Sequence, residues 1–545
     1  MSAELKRTES SDSNFLFVHV PKLSNYYKLT DEYMYVNYLP MGVFAVCDYL
    51  NRNGVQSRIK HLGLETILNC DFSISRFVKE NHIPVVGMSL HWHFQSFDVI
   101  DVARKIKAAS PETVIVLGGL TASCFADEIL TEFTQIDAVI RGDGEKGALT
   151  FARTVLSQSR DFSQVENCTW RNREGEIVDN GISFVATGED LDSYDFANLS
   201  LLDKHEKYRD YFKMPMFWMN NASVRDNLKI RMASETMFPL AIGRGCPVNC
   251  TYCGGSASAH RKLCGRKKYS VRSVESIVQT MESAMNYGYT AFLSSFNPTP
   301  KDDRYYLSLF ETMRQKNVKP GYALEFWGLP TERLIENFVR TVDLKRSYIA
   351  LSPESGSEKV RRRNKGMYYS NDELYQTMDL LLKHKVPTVI YFTIGLVDES
   401  SEDIQQTIDL GERLKKKWGK VIDGVFCVPI QIEPASPMFE TPEKFGVTST
   451  RSNFMDFYRS HGQNNSGPFS YLGYTNSAYE EAAGDLKAYE NAMQQVRCKN
   501  FCLLSPRLFG RIEMGLLSRM LCNLKHAKWK RDGFGFAPEE RRTFR

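Results

Sequence analysis

The sequence predicts an α/β protein in three parts. A doubly wound parallel sheet over residues 14–160 is followed by a partial (β/α)6 barrel over 236–440 and a mainly helical region over 441–545. Three observations predict this. Short β-branched runs alternate with helical patterns through the first 160 residues. The alternation restarts after Met237 and yields six strand candidates. After Glu433-Pro-Ala-Ser-Pro-Met-Phe, helical periodicity takes over.

In the first part the strand candidates are Phe15-Leu-Phe-Val-His-Val, Ser57 to His61, Pro84-Val-Val-Gly-Met-Ser, Thr113-Val-Ile-Val-Leu-Gly-Gly and Asp137-Ala-Val-Ile-Arg. Near-continuous apolar runs suit strands buried on both faces by crossover helices. Helices are expected at Gly42 to Asn53 and near Phe97 to Ala109. Ligands of such sheets sit at the carboxyl ends of the strands, where Ser89, Gly118 and Gly119 fall. Residues 1–13 are polar and are expected to be disordered. Residues 161–235 read as a linker whose aromatics (Tyr208, Tyr211, Phe212, Phe217, Trp218) pack a domain interface.

The six barrel strands are expected at Phe238 to Arg244, Ala291 to Phe296, Gly321 to Trp327, Ser347 to Ser352, Thr388 to Gly395 and Gly424 to Ile432. Helices such as Val274 to Tyr287 and Asp403 to Lys416 separate them. Beyond the barrel, Ala478 to Gln495 reads as a helix. Ser505 to Lys530 carries apolar Leu508, Ile512, Leu516, Met520 and Leu524 at helical spacing. That stripe packs against the barrel's open side. Its neighbours Arg519, Lys525, Lys528, Lys530 and Arg531 leave open a basic surface for a membrane or an acidic partner.

The 545 residues are 42% hydrophobic and 25% charged, with a net charge of +4, too mild to point to nucleic acid. No stretch of about 18 apolar residues predicts a transmembrane segment, and the polar start is unlike a signal peptide. A cytoplasmic monomer is expected. Twelve cysteines, nine of them scattered, do not form a disulfide framework. Cys498 and Cys502 read as one face of a helix.

The remaining three, Cys246, Cys250 and Cys253, lie in Gly243-Arg-Gly-Cys-Pro-Val-Asn-Cys-Thr-Tyr-Cys-Gly-Gly. Three thiolates on so short a loop can hold three irons of a four-iron, four-sulfur cluster and leave the fourth open to a ligand. Zinc normally takes four closed ligands, and the spare candidates His260 and Cys264 lack paired spacing. The CxxxCxxC, with Tyr252 before its last cysteine and Gly254-Gly255 after it, resembles the radical S-adenosylmethionine (SAM) superfamily. The resemblance implies a [4Fe-4S] cluster whose open iron binds SAM and cleaves it to a 5′-deoxyadenosyl radical. Leu351-Ser-Pro-Glu-Ser-Gly-Ser-Glu-Lys-Val and Tyr391-Phe-Thr-Ile-Gly-Leu resemble the fourth- and fifth-strand segments of that family. By that resemblance Glu354 and Ser355 face SAM polar groups and Gly395 lies along the adenine. Arg361 and Arg362 stand either at the SAM carboxylate or on a solvated helix face.

The order Tyr38-Leu-Pro-Met-Gly, Val86-Gly-Met-Ser, Val116-Leu-Gly-Gly and Arg141-Gly-Asp-Gly-Glu resembles the Rossmann-like cobalamin-binding (B12-binding) domain that precedes the barrel in one large radical SAM class. It implies that Ser89, Gly118, Gly119, Gly142 and Gly144 border the corrin or its nucleotide tail. Better-known cobalamin domains carry Asp-x-His-x-x-Gly after the first strand, whereas this chain has Pro21-Lys-Leu-Ser-Asn-Tyr-Tyr. The lower cobalt face is then open or capped, and His91 or Trp92 can supply the cap or a ligand, or simply pack in the loop.

The resemblance implies a C-methyltransferase that moves a methyl group from SAM through methylcobalamin to an unactivated carbon, after hydrogen abstraction by the 5′-deoxyadenosyl radical. Ring contraction, cyclisation or rearrangement would use the same cofactors. Methylthiotransfer would need a second cysteine triad, whose context Cys47, Cys70 and Cys124 lack. A cobalamin sensor with a vestigial barrel would not need the intact CxxxCxxC. A reducing partner such as flavodoxin or ferredoxin is implied. The substrate, a peptide, a lipid or another small molecule, is not readable.

Overall fold

The computed structural model describes residues 13–21, 39–69, 71–211, 237–298, 302–449, 451–462 and 474–476. The expectations for residues 1–12, Tyr38, Phe212, Phe217, Trp218, Cys70, Cys498, Cys502 and the helices at 478–495 and 505–530 lie outside the described residues.

The first sheet contains β1 (Phe15–His19), β2 (Ser57–His61), β3 (Val85–Ser89), β4 (Val114–Gly118) and β5 (Ala138–Ile140), all parallel in the order β2-β1-β3-β4-β5. The crossover helices include Met41–Arg52, Ser96–Ala109 and Glu145–Leu156. Val85, Val86, Ile115 and Leu117 are buried, as both-face packing requires. Two further strands, β6 (Cys168–Arg171) and β7 (Ile177–Asp179), extend the edge as an antiparallel hairpin. Its turn places Gly175 at φ +87°, conformational space that glycine enters without strain. Linker-like composition hid these strands, because only a Thr-Trp pair and an Asn-Arg-Glu-Gly turn mark them.

The second sheet begins with β8 (Met237–Pro239). The sequence predicts one strand through Arg244, but the pairing with β11 ends with the bond from the Leu240 N–H to the Leu293 carbonyl at 2.8 Å. The chain turns out into a short antiparallel ribbon of β9 (Gly243–Arg244) and β10 (Ser270–Val271). A Cβ on Gly243 would lie 2.3 Å from the Ser270 carbonyl oxygen, so only glycine permits this pairing. The sheet continues with β11 (Ala291–Ser294), β12 (Gly321–Phe326), β13 (Tyr348–Glu354), β14 (Thr388–Ile394) and β15 (Ile422–Pro429). All six are parallel and neighbours in chain order, and β8 and β15 are edges, so the barrel is partial. Capping boxes at Ser370/Glu373 and Ser400/Asp403 start the helices Asn371–Lys383 and Ser401–Trp418.

After the barrel, β16 (Val447–Ser449) pairs with β17 (Tyr474–Asn476), and the helix Phe454–Gly462 returns to the first domain. Its Phe454 and Phe457 rings lie 5.8 and 5.7 Å from Phe125, and Tyr458 lies 5.2 Å from Phe97. His461 Nε2 is 3.1 Å from His93 Nδ1. From the linker, buried Tyr208 accepts a hydrogen bond from the Leu39 N–H, and Phe196 packs beneath the Arg272 guanidinium at 4.7 Å.

A buried ion network also joins the two sheets. Arg244 of β9 donates to Asp143 Oδ1 at 2.8 Å and to both oxygens of Glu145, residues just after β5. Arg266 reaches the other oxygen of Asp143, and the Ala186 N–H donates to it at 2.8 Å. Glu145 is wholly buried. Removing one partner of such a network leaves an uncompensated charge. Arg244→Leu should destabilise the folded chain by roughly 3–5 kcal/mol in urea unfolding, and Arg244→Leu with Glu145→Gln should recover part of that loss.

Candidate active site

The carboxyl ends of the two sheets face one cavity of about 940 Å³. Its lining runs from Ser89, His91, Trp92 and Gly118 on one side, through Cys246, Cys250 and Cys253, to Glu325, Glu354 and Tyr391 on the other.

The cysteine loop follows the ribbon out of β9. Gly245 has φ +92°, and a Cβ there would meet Arg266 Cδ at 2.7 Å. Main-chain N–H groups already point at sulfur: Gly366 donates to Cys250 Sγ at 3.2 Å and Gly255 to Cys253 Sγ at 3.3 Å. The Gly366 approach is so close that a Cβ would lie 2.7 Å from the Asn249 nitrogen. The free thiols are costly to ionise where they stand. Burial pushes Cys246 up to about 11 and Cys253 well above the usual thiol value, so thiolate at this loop calls for a cation such as iron. A single zinc with bonds of about 2.3 Å would gather sulfurs within roughly 4 Å of one another. Among the described residues, the set of metal-ligating atoms that lie mutually within 4.8 Å is Glu332, Glu336 and His384, not the three thiols. The wider sulfur spacing and the amide donors fit a cluster.

On the barrel side, Tyr252, Gly255 and Glu354 line the cavity. Glu354 closes β13 with φ +64°, a left-handed conformation costly for a side-chain-bearing residue. Thr393 Oγ1 donates to its Oε2 at 2.8 Å, and Lys365 Nζ lies 3.4 Å from its Oε1. Gly254, Ser355 and Gly395 do not line the cavity. The Gly254 N–H donates to Glu433 Oε2 at 2.7 Å; Ser355 Oγ is 3.2 Å from Thr407 Oγ1; the Gly395 N–H donates to Glu399 Oε2 at 2.6 Å. These three shape the walls from behind. Arg361 is fully buried and spends its guanidinium on the carbonyls of Pro353, Ser355 and Tyr369 and on Asn371 Oδ1. Arg362 stacks on the Tyr368 ring at 3.7 Å. Lys365 lines the cavity beside the cysteine loop, as do Arg244 and Arg266.

On the first-sheet side, Ser89, His91, Trp92, Gly118, Gly119, Gly142 and Gly144 all line the cavity. Gly119 has φ +104°, and a Cβ would stand 2.8 Å from the His91 backbone, so this turn admits no side chain. A Cβ on Gly118 would stand an ordinary 3.6 Å from the Ile140 carbonyl oxygen. Phe15, Phe17, Val116 and Ala148 line an apolar slot of the same cavity. The His91 and Trp92 rings meet edge-on at 4.8 Å, and burial pushes the His91 imidazole down to about 4. His260, also pushed down to about 4 by burial, keeps a buried Nδ1 with no hydrogen-bond partner. Both imidazoles are neutral near pH 7. Glycines without side chains, the apolar slot and an unsatisfied ring nitrogen fit a large flat cofactor with polar edges.

Sequence reasoning missed Asp143, Glu145, Arg244, Lys365, Glu325, Glu399 and Glu433. The spacer positions of Arg141-Gly-Asp-Gly-Glu and Gly243-Arg-Gly-Cys held a signal, because charged residues inside glycine-rich turns have few solvated directions. Lys365, next to the Arg361–Arg363 run, reads as one more exposed base until its burial is seen.

Residues 240–411 match the radical SAM superfamily, and residues 33–151 match the B12 binding domain. The hopanoid C-3 methylase of Methylococcus capsulatus is 25% identical over 340 residues, 59% of this chain and 56% of that protein. The anaerobic magnesium-protoporphyrin IX monomethyl ester cyclase of Cereibacter sphaeroides is 21% identical over 374 residues, 67% of this chain and 52% of that protein. The matches thus span about half the length of these curated relatives. Among solved structures, the radical SAM methyltransferase TsrM from Kitasatospora setae, with cobalamin and a [4Fe-4S] cluster bound, superposes with a TM-score of 0.61 at 13% identity, covering 91% of this chain and 90% of that one. The cobalamin-dependent SAM radical enzyme OxsB superposes with a TM-score of 0.60 at 12% identity, over 88% and 66% of the two chains. With both domain matches in order along the chain and the strand ends of both domains on one cavity, the chain carries a B12-binding domain followed by a radical SAM domain, and the two domains imply cobalamin, a [4Fe-4S] cluster and SAM as cofactors.

Proposed function

We propose that this enzyme is a C-methyltransferase that transfers a methyl group originating in SAM to an unactivated carbon. The observation that carries the proposal is the single cavity shared by the first-sheet strand ends and the cysteine loop, since a methyl carrier and a radical generator must reach the same substrate atom. When bound, the cluster and SAM supply a carbon-centred radical, and cobalamin supplies the methyl carrier. The chain's own residues then have defined tasks. Cys246, Cys250 and Cys253 hold the cluster, with the Gly366 and Gly255 amides tempering charge on sulfur. Lys365 and Glu354 offer opposite charges to a zwitterionic amino acid group. Gly118 and Gly119 keep the strand ends bare, and Trp92, Phe296 and Trp327 line the chamber with apolar surface that excludes water.

The similarity to a methylase and to a methyltransferase structure supports this reading. The similarity to a cyclase favours a second one, ring formation without net methyl transfer, in the same cavity. A flavodoxin- or ferredoxin-type reductant and a cytoplasmic setting belong to the proposal. Among the described residues no helix is long and apolar enough to cross a membrane.

Anaerobic incubation of reconstituted protein with SAM, reductant and hydroxocobalamin separates the two. S-adenosylhomocysteine formed together with a methylcobalamin spectrum is the expected outcome, and 5′-deoxyadenosine without either product defeats methyl transfer. Cys250→Ala should lower 5′-deoxyadenosine formation to background while circular dichroism stays unchanged, because the ligand sits on a loop. Gly118→Leu should leave the fold intact, since a Cβ fits there, yet weaken cobalamin binding by at least about tenfold, or roughly 1.4 kcal/mol. Cobalamin retained at the wild-type level after gel filtration would place the corrin elsewhere.

A further inference from the structure

The barrel half of the cavity contains a carboxyl group that the cluster loop and the first sheet leave unused. Glu325 lies on β12 and lines the cavity, and among the described residues its carboxyl holds no hydrogen bond or ion pair of the kind that Glu354 makes. Its neighbour on β13, Glu354, holds Lys365 at 3.4 Å and Thr393 at 2.8 Å. The Lys365 ammonium, already paired with Glu354, acts on Glu325 from the same side, and the other titratable groups that face it are the phenols of Tyr348 and Tyr306. Aromatic rings wall the same region: Phe296 and Trp327 meet edge-on at 5.8 Å, and Tyr348 lines the cavity beside them. Burial, and after it the Glu354 carboxylate, push the Glu325 carboxyl up to about 7.

These surroundings discriminate among substrate classes. An apolar substrate would leave the carboxyl buried against it without a partner, the costly arrangement for a polar group. An anionic group would meet two carboxyls and a single ammonium, Lys365, that is already paired with Glu354. A protonated nitrogen would satisfy Glu325 and gain the faces of the surrounding rings, which attract cations. We propose that Glu325 anchors a protonated nitrogen of the substrate, so that the substrate is an amine- or guanidine-bearing molecule held between Glu325 and the Phe296–Trp327 pair. This assignment rests on the cavity being the substrate chamber of the enzyme and is independent of whether the outcome is methylation or ring formation.

The test is isothermal titration of the cofactor-loaded protein, kept anaerobic without reductant so that no turnover occurs. The probes are 2-phenylethylamine and its neutral isostere 2-phenylethanol at about pH 8, where the carboxyl is ionised and the amine protonated. Wild type should bind the amine at least about tenfold more tightly than the alcohol, and Glu325→Gln should bring the two within about twofold. SAM affinity should be the same in both proteins. Equal affinity for the two probes in wild type, absence of binding by either, or a preference that survives in Glu325→Gln overturns the assignment. So does a tenfold loss of SAM affinity in the variant, which would give Glu325 to the cofactor. An amine preference in a protein that makes no S-adenosylhomocysteine would keep this site and sink methyl transfer.

Discussion

Arg244, held between Asp143 and Glu145, is the interaction on which the rest of the site depends. It sits two residues before the first cluster cysteine, and its partners sit on the turn that closes the last parallel strand of the first domain. A guanidinium fork against two carboxylates fixes direction as well as distance, which an apolar contact does not. Burying these charges has a large desolvation cost, so the network is better explained by positional specificity than by net stability. Arg266, bound to the other face of Asp143 and to the Ala186 carbonyl, ties the linker into the same arrangement. The separation between the strand ends of the first sheet and the cysteine loop is thereby set by the fold and not by the ligands.

Within that frame, backbone conformation sets the two faces of the cavity. Gly119 turns back against the His91 main chain with φ +104°, and Glu354 leaves β13 with φ +64° where the β13–β14 register shifts. On the first face the strained turn removes side chains; on the second it projects one carboxylate inward. The walls behind are held by carboxylates that accept main-chain N–H groups, Glu399 from Gly395 and Leu396, and Glu433 from Gly254. Burial raises the carboxyl of Glu399 to about 8 and that of Glu433 above its usual range. These groups act as fixed acceptors at the back of the site, while Glu354, Lys365 and Glu325 line its barrel side.

The chemistry was legible in the sequence where it is local. Three cysteines within one loop and β-branched runs with short alternation are patterns of neighbours in the chain; the runs gave both sheets, and the loop gave the candidate cluster ligands. Contacts across long separations were not legible. Arg244 meets Glu145 from 99 residues away, and nothing at either position records the other. Glycine turns drew attention to Gly142 and Gly144, whereas Asp143 between them carries the ion network. The sequence leaves Arg361 either at the SAM carboxylate or on a solvated helix face. Its buried guanidinium instead gathers carbonyls that would otherwise be orphaned. The hairpin of β6 and β7 and the helix Phe454–Gly462 were missed for a related reason: each is short, and tertiary packing selects it over the loop that its composition suggests.

The helix Phe454–Gly462 also bears on how the cavity is kept closed. It comes from beyond the barrel yet packs on Phe125, Phe133 and Phe97 of the first domain, and its Phe454 N–H donates to Glu128 at 2.6 Å. Among the described residues, contacts between the barrel side and the first domain are thus made both by the linker and by this helix. These two sets of contacts oppose a hinge between the sheets far more than the single ion network would alone, because an opening motion must expose Phe454, Phe457 and Phe125 together. Radical chemistry gains from this arrangement, since a reactive carbon centre is safe from solvent only while the two sheets stay in register.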